Sequence, residues 1–188
     1  IFSQQLEYLA EKNDLLISFG GYDANNIIEK ICKILPNFSK KIKIKIILGP
    51  ITKKPKCLLK IENDFKNELK IIQYTDNLKK EISQSKIGLC SGGITTYEFA
   101  ILSVPFGIIS QYKHQKITAT EWEKLGYGIN LGINDKEVIK RIEKFLNNFL
   151  ENKMNFGTKK NKIKGNGSKK VKNEILKSFK VQKNDFRK

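Results

Sequence analysis

Short apolar runs alternate along the chain with longer segments whose apolar residues recur every three or four positions. Leu15-Leu16-Ile17-Ser18-Phe19 reads as a buried strand and stops at Gly20-Gly21. Ile27, Ile28, Ile31, Ile34 and Leu35 then fall on one face at helical spacing, which predicts a helix over 25–35 closed by Pro36. Ile42, Ile44, Ile46, Ile47 and Leu48 predict a second strand, stopped by Gly49-Pro50, and the region 52–67 reads as a short helix and loop. A third strand is expected over 69–72, a short helix over 78–83, and a fourth strand over 87–90 that runs into Ser91-Gly92-Gly93. A helix over 95–103 is broken by Pro105. A strand over 106–110, a helix over 115–125 and a small strand over 129–131 follow. Asp135 is expected to cap a long helix through Val138, Ile139, Ile142, Phe145, Leu146 and Phe149.

Strand–helix alternation of this kind implies a parallel sheet covered on both faces: a Rossmann-like, three-layer α/β domain. The common strand order 3-2-1-4-5-6 puts strands one and four side by side at the switch point, where ligands bind at the strands' carboxyl ends. Gly20-Gly21 and Gly92-Gly93 follow those two strands, so both glycine loops should face one crevice. The domain is expected over 14–150, preceded by the end of an interdomain linker over 1–13.

The segment 151–188 carries 13 basic and 3 acidic residues, a net of +10 out of the chain's +17. Val171, Ile175, Leu176 and Phe179 have helical spacing there, with Ser168 as a cap after Gly165 and Gly167. A docking helix over 168–180 is therefore expected.

The length of 188 residues suits one domain with a sizeable core rather than two. The chain begins at Ile1, which suggests an upstream portion. No apolar run reaches the roughly 18 residues of a membrane span. The high net charge comes almost wholly from lysine, since only Arg141 and Arg187 are arginine; clustered arginine with aromatics is absent, and no specific nucleic-acid partner is expected. A positive surface would still speed the approach of an anionic nucleotide. Cys32, Cys57 and Cys90 are odd in number, widely spaced and set among apolar residues, and read as reduced thiols of a cytoplasmic protein rather than metal ligands.

The first loop, Gly20-Gly21-Tyr22-Asp23, combines a sharp turn with a following helix whose N–H groups and partial positive charge suit a phosphate. Asp23 reads as the cap of that helix rather than a phosphate contact, because two anions repel. The loop is neither a Walker A nor a GxGxxG motif, which removes the usual support for ATP or dinucleotide binding. The second loop, Ser91-Gly92-Gly93-Ile94-Thr95-Thr96-Tyr97-Glu98, sets two glycines and the hydroxyls of Ser91, Thr95 and Thr96 at a helix start, where they can serve phosphate oxygens. Glu98 has two readings: a first-turn acid matched to the helix dipole, or a carboxylate accepting from both hydroxyls of a ribose. His114, the one histidine, reads either as an exposed loop residue or as a hydrogen-bond partner of a sugar or leaving phosphate. Trp122 reads as core; Tyr112 and Tyr127 carry no spacing argument.

Ser91-Gly92-Gly93-Ile94-Thr95-Thr96-Tyr97-Glu98-Phe99-Ala100, then Val104-Pro105, Gln115 and Gly126, resembles the UDP-binding C-terminal half of GT-B enzymes. The muramyl-pathway transferase MurG is one relative. The PseG-like UDP-sugar hydrolases of pseudaminic acid biosynthesis and their spore-coat polysaccharide relatives are nearer, on Gly20-Gly21-Tyr22-Asp23 and on Gly165-Asn166-Gly167-Ser168-Lys169-Lys170-Val171. The resemblance spans about residues 15–176. It implies Gly20 and Gly21 lining a sugar-nucleotide cleft, Gly92, Gly93 and Thr95 at the pyrophosphate, Glu98 at the ribose, and Thr75 and Leu78 at the uracil. Asp76 is expected to cap the next helix. Gln115 would reach the sugar or ribose-phosphate, and His114 stands where the hydrolases carry asparagine.

The implied substrate is a UDP-linked amino sugar, hydrolysed at the anomeric carbon with inversion; alternatives are a glycosyltransferase and a non-catalytic nucleotide-sugar module. No Asp-x-Asp motif is present, so neither metal nor cofactor is expected. The catalytic base, a histidine in relatives, would lie in an N-terminal GT-B domain outside this chain. The chain alone should bind UDP but turn over little.

Overall fold

The computed structural model describes residues 13–39, 42–65, 68–154, 156 and 163–185. Six strands form one sheet: β1 (Asn13–Ser18), β2 (Ile44–Ile47), β3 (Leu69–Ile72), β4 (Ser85–Ser91), β5 (Phe106–Ser110) and β6 (Gly128–Ile133). Their order is β3-β2-β1-β4-β5-β6 and every neighbouring pair is parallel. Eight helices connect or follow them among the described residues: α1 (Ile27–Cys32), α2 (Leu35–Ser39), α3 (Lys56–Asp64), α4 (Leu78–Ser83), α5 (Thr95–Ile101), α6 (Gln115–Lys124), α7 (Val138–Leu150) and α8 (Gly167–Asp185).

Successive side chains of a strand point to opposite faces, and β1 shows the consequence. Leu15 and Ile17 belong to one apolar cluster, with Ile27, Ile28 and Ile31 of α1 and Val138, Ile142, Phe145 and Leu146 of α7. Leu16 belongs to the other, with Ile82 of α4, Phe99 of α5 and Trp122 of α6. All three β1 residues are fully buried, so the sheet is the middle of three layers, as the uninterrupted apolar run predicted. Trp122 and Tyr127 are core residues.

Several local expectations are corrected. The single helix over 25–35 is two, α1 and α2, because Pro36 has no N–H to continue the ladder; it lies in the first turn of α2 instead of closing a helix. Asp135 stands two residues before the nominal cap of α7: its Oδ1 accepts from Glu137 N–H at 2.9 Å and from Arg141 Nη2 at 2.7 Å, and the guanidinium holds its carboxyl below the usual range. Asn77, not Asp76, caps α4, accepting from Lys80 N–H at 3.0 Å.

The cysteines are corrected too. Cys32 and Cys57 form a disulfide with Cα atoms 6.2 Å apart, because α1 and α3 lie side by side; Cys90 is a buried free thiol.

The linker expected over 1–13 falls on residues outside the description, apart from Asn13, which opens β1. The expected C-terminal helix forms as α8, but it starts at Gly167, so Ser168 is inside its first turn rather than its cap. Val171, Ile175 and Leu176 are 60%, 51% and 49% exposed, so these residues do not make the expected docking contact; the Phe179 side chain lies outside the described residues. No described helix is long and apolar enough to cross a membrane.

Candidate functional site

The carboxyl ends of β1, β2, β3 and β4 open onto one cleft of about 520 Å³. Its walls carry both glycine loops: Gly20 and Gly21 after β1, and Ser91 at the end of β4 with Gly93, Thr95 and Glu98 beyond it. Thr75 and Leu78 line the end beyond β3. These residues were all named from sequence, and the order β3-β2-β1-β4 brings them together.

The first loop is tight and self-satisfied. Gly20 turns the chain at φ +77°, a conformation that suits glycine. Asp23 is buried, and its two carboxylate oxygens accept from Ile27 N–H at 3.0 Å and Ile28 N–H at 2.8 Å. The start of α1 is thereby closed by the chain's own anion, which bears out the capping reading of Asp23 and corrects the expectation that α1 offers its N–H groups to a phosphate. Asp23 N–H donates to Thr52 Oγ1 at 3.3 Å. Gly49 sits directly against the Gly21 carbonyl, where a Cβ would collide with backbone.

The second loop is open. Among the described residues the N–H groups of Gly93, Ile94 and Thr95 have no acceptor, and the first donors of α5 with one are Thr96, to Gly93 O, and Tyr97, to Ile94 O. A Cβ at Gly93 would meet only Ser91 Oγ at 3.8 Å, so this backbone faces free space. A run of unpaired N–H groups at a concave turn is a ready site for an anion. One turn on, the half-buried Glu98 carboxyl is pushed above its usual range by burial, partly offset by a hydrogen bond from the Thr95 hydroxyl.

Four named residues do not line the cleft. Thr96 is fully buried: its Oγ1 donates to Gly93 O at 2.7 Å and accepts from Trp122 Nε1 at 2.8 Å, so its hydroxyl braces the loop from behind. Gly92 lets α6 approach; a Cβ there would stand 2.8 Å from Gln115 Cβ. Gln115 Oε1 accepts from Gln111 N–H at 2.8 Å, fixing the turn into α6. His114 is exposed and stacks on Tyr112 with ring centroids 5.7 Å apart.

Sequence reasoning missed Gly49, Pro50, Tyr74 and Ile94, all of which line the cleft. The first two were legible in principle: Gly49-Pro50 follows β2, which neighbours β1, so its turn must open on the same crevice. The exposed Tyr74 hydroxyl is bonded to Asp76, whose carboxylate pushes the phenol's pKa up. Cys90, at the end of β4, is wholly buried and its thiol is pushed far up by desolvation.

Comparison with known proteins bears on this geometry. The spore coat polysaccharide biosynthesis protein SpsG of Bacillus subtilis (strain 168) is 25% identical over 135 residues, 69% of this chain and 39% of SpsG. The S. aureus MnaA structure determined with UDP superposes with a TM-score of 0.60 at 14% identity, covering 91% of this chain and 46% of that one. Acinetobacter baumannii MurG gives 0.52 at 15% identity, covering 79% and 44%. The chain thus spans less than half the length of these proteins, and the solved structures share its fold. The model of the glycosyltransferase family 28 C-terminal domain matches residues 15–175, and the chain belongs to that family.

Proposed function

We propose that the cleft binds a UDP-sugar and that this chain is the nucleotide-binding half of an enzyme that breaks the bond between the sugar's anomeric carbon and UDP. The observation that carries the reading is the set of unpaired N–H groups at Gly93, Ile94 and Thr95 beside the half-buried Glu98 carboxyl. The N–H groups suit a diphosphate; the carboxylate, one helical turn further, suits the ribose diol. Thr75, Leu78 and Tyr74 stand where the base would lie, and Gly20 and Gly21 form the facing wall. His114 and Gln115 would meet only a sugar that extends past the Gly92 turn. The family and the MnaA structure solved with UDP support this class of ligand.

The proposed reaction is hydrolysis: water attacks the anomeric carbon, the carbon–oxygen bond to the diphosphate breaks, and UDP departs with the electron pair. Donors at the second loop stabilise the charge that gathers on the diphosphate as that bond breaks. The proton of the attacking water goes to a base in a second domain. Similarity to SpsG supports a setting in cell-surface polysaccharide synthesis; a UDP-linked amino sugar as substrate and a cytoplasmic location belong to the same proposal. Transfer of the sugar to an acceptor is the second reading, favoured by the family's description.

The complete protein, incubated with UDP-linked diacetamido-trideoxy sugars, separates them. Release of UDP with free sugar and no acceptor is expected; an absolute need for an acceptor would replace hydrolysis with transfer. Calorimetry detecting no UDP binding at all would remove both.

A further inference from the structure

We propose that Cys32 and Cys57 form a redox-sensitive clasp that sets how firmly the β2-side wall of the cleft is held. Cys32 is the last residue of α1 and Cys57 the second of α3, with Cα atoms 6.2 Å apart, within disulfide reach. Both lie against the apolar cluster on one face of the sheet, whereas Cys90 belongs to the opposite face and cannot compete for either.

The wall in question is the segment 49–55 between β2 and α3. Its cleft-facing residues are Gly49 and Pro50. It is tied to the first loop by Asp23 N–H to Thr52 Oγ1, and to the turn after β3 by Gln73 Nε2, which donates to Gly49 O at 3.2 Å and Thr52 O at 2.8 Å. What anchors the far end is α3, a helix of nine residues in which only Leu58 and Ile61 are buried. So small an apolar anchor makes α3 a candidate for local opening well below the cost of global unfolding. The disulfide removes that freedom by bonding α3 to α1, whose own start is fixed by Asp23. Broken, it leaves α3 free to lift, and segment 49–55 with it.

The chemistry balances as thiol–disulfide exchange. A small-molecule disulfide accepts two electrons from the two cysteine thiols and leaves as two thiols, each taking one proton; a dithiol reductant runs the reverse and is itself oxidised to a disulfide. Cys57 is only partly buried, which gives the reagent an approach.

The effect on ligand rests on the UDP reading, but the clasp does not, and the test uses both readouts on the complete protein. Protein treated with oxidised glutathione and with dithiothreitol is first compared by intact mass; the oxidised form should be about 2 Da lighter, from loss of two hydrogens. Hydrogen exchange without ligand should then be faster over residues 48–56 in the reduced form and little changed over β4 and α5. The dissociation constant for UDP should rise about 3- to 10-fold on reduction, as a wall that must be ordered on binding does so at greater cost. Cys32→Ser and Cys57→Ser should each match the reduced protein under both treatments, and Cys90→Ser should still respond. The proposal is overturned if Cys32 and Cys57 both alkylate in oxidised protein, or if mass-verified oxidised and reduced forms exchange identically over 48–56. Altered exchange with unchanged UDP affinity overturns the link to the cleft. If UDP binds neither form, the nucleotide reading fails and the exchange data alone decide the clasp.

Discussion

The two glycine loops look alike in sequence and differ in what they do with their backbone donors. After β1, Asp23 reaches forward and takes the N–H groups of Ile27 and Ile28, so α1 begins with its charge already answered. After β4 no such side chain exists: Ile94, Thr95 and Thr96 follow, and the N–H groups of Gly93, Ile94 and Thr95 stay unpaired among the described residues. The first N–H groups of a helix have no partner within it, and where no side chain caps them, as after β4, they stay open to an anion at the cleft. On the proposed reading, one loop shapes the cleft and the other receives the anion. The presence of Gly-Gly does not distinguish them; the presence of a carboxylate two residues after the second glycine does.

The largest effect should come from breaking the closed loop. Asp23→Ala leaves two buried N–H groups without acceptors and should cost about 2–3 kcal/mol of stability, read as a shift in the urea midpoint. A loss within experimental error would mean that the cap is not what holds the first loop. Glu98→Ala should leave folding nearly unchanged and weaken UDP binding by about 1–3 kcal/mol through lost charge-assisted hydrogen bonds. Unchanged affinity in calorimetry takes Glu98 out of the ribose role.

The direct comparison pairs Gly93→Ala with Gly21→Ala. An added Cβ meets nothing within 4 Å at Gly21 and only Ser91 Oγ at 3.8 Å at Gly93, so both variants should fold. If the anion sits on the second loop, Gly93→Ala should lose about tenfold more UDP affinity than Gly21→Ala, roughly 1.4 kcal/mol. Equal losses would put the diphosphate between the loops rather than on one. Thr96→Val is the inverse case: it leaves Trp122 Nε1 without its acceptor and should cost about 1 kcal/mol of stability, with UDP affinity intact.

Much of this was legible in the chain. The three layers follow from apolar runs alternating with amphipathic segments, the strand order and the convergence of both loops from the order common to such sheets, and the predicted bounds of β3, α4 and β5 coincide with the observed ones. What the sequence could not supply was direction. Thr95 and Thr96 are adjacent hydroxyls, but successive residues of a helix are turned by about 100°, so one faces the cleft and the other the core. Gly92 and Gly93 differ in the same way, one answering to α6 and the other to open space. The Cys32–Cys57 pair was hidden because its sequence separation of 25 says nothing about two helices being neighbours in space. Pro36 was misread because proline both ends helices and begins them.

The subtlest test of the open loop is its response to acid. Burial raises the Glu98 carboxyl above its usual range, with the Thr95 hydroxyl bond opposing it. A carboxyl raised in the folded state burdens the fold when ionised, and this burden is relieved as pH falls through the raised value. Ligand binding runs the other way. Ribose hydroxyls donate to the ionised form, so the bound state should have a lower Glu98 pKa than the free protein. Affinity should be full above the free protein's raised pKa and decline as pH falls through it, beginning above the ordinary glutamate range. UDP-N-acetylglucosamine is the ligand of choice, because both of its phosphates are esterified and hold their charge across that window. The wild-type dissociation constant should rise by less than about tenfold on acidification, while Glu98→Gln stays near the wild type's low-pH affinity throughout and shows no such slope. Parallel curves for the two proteins would assign the pH dependence to another group and leave Glu98 as a partner of the α5 helix dipole alone.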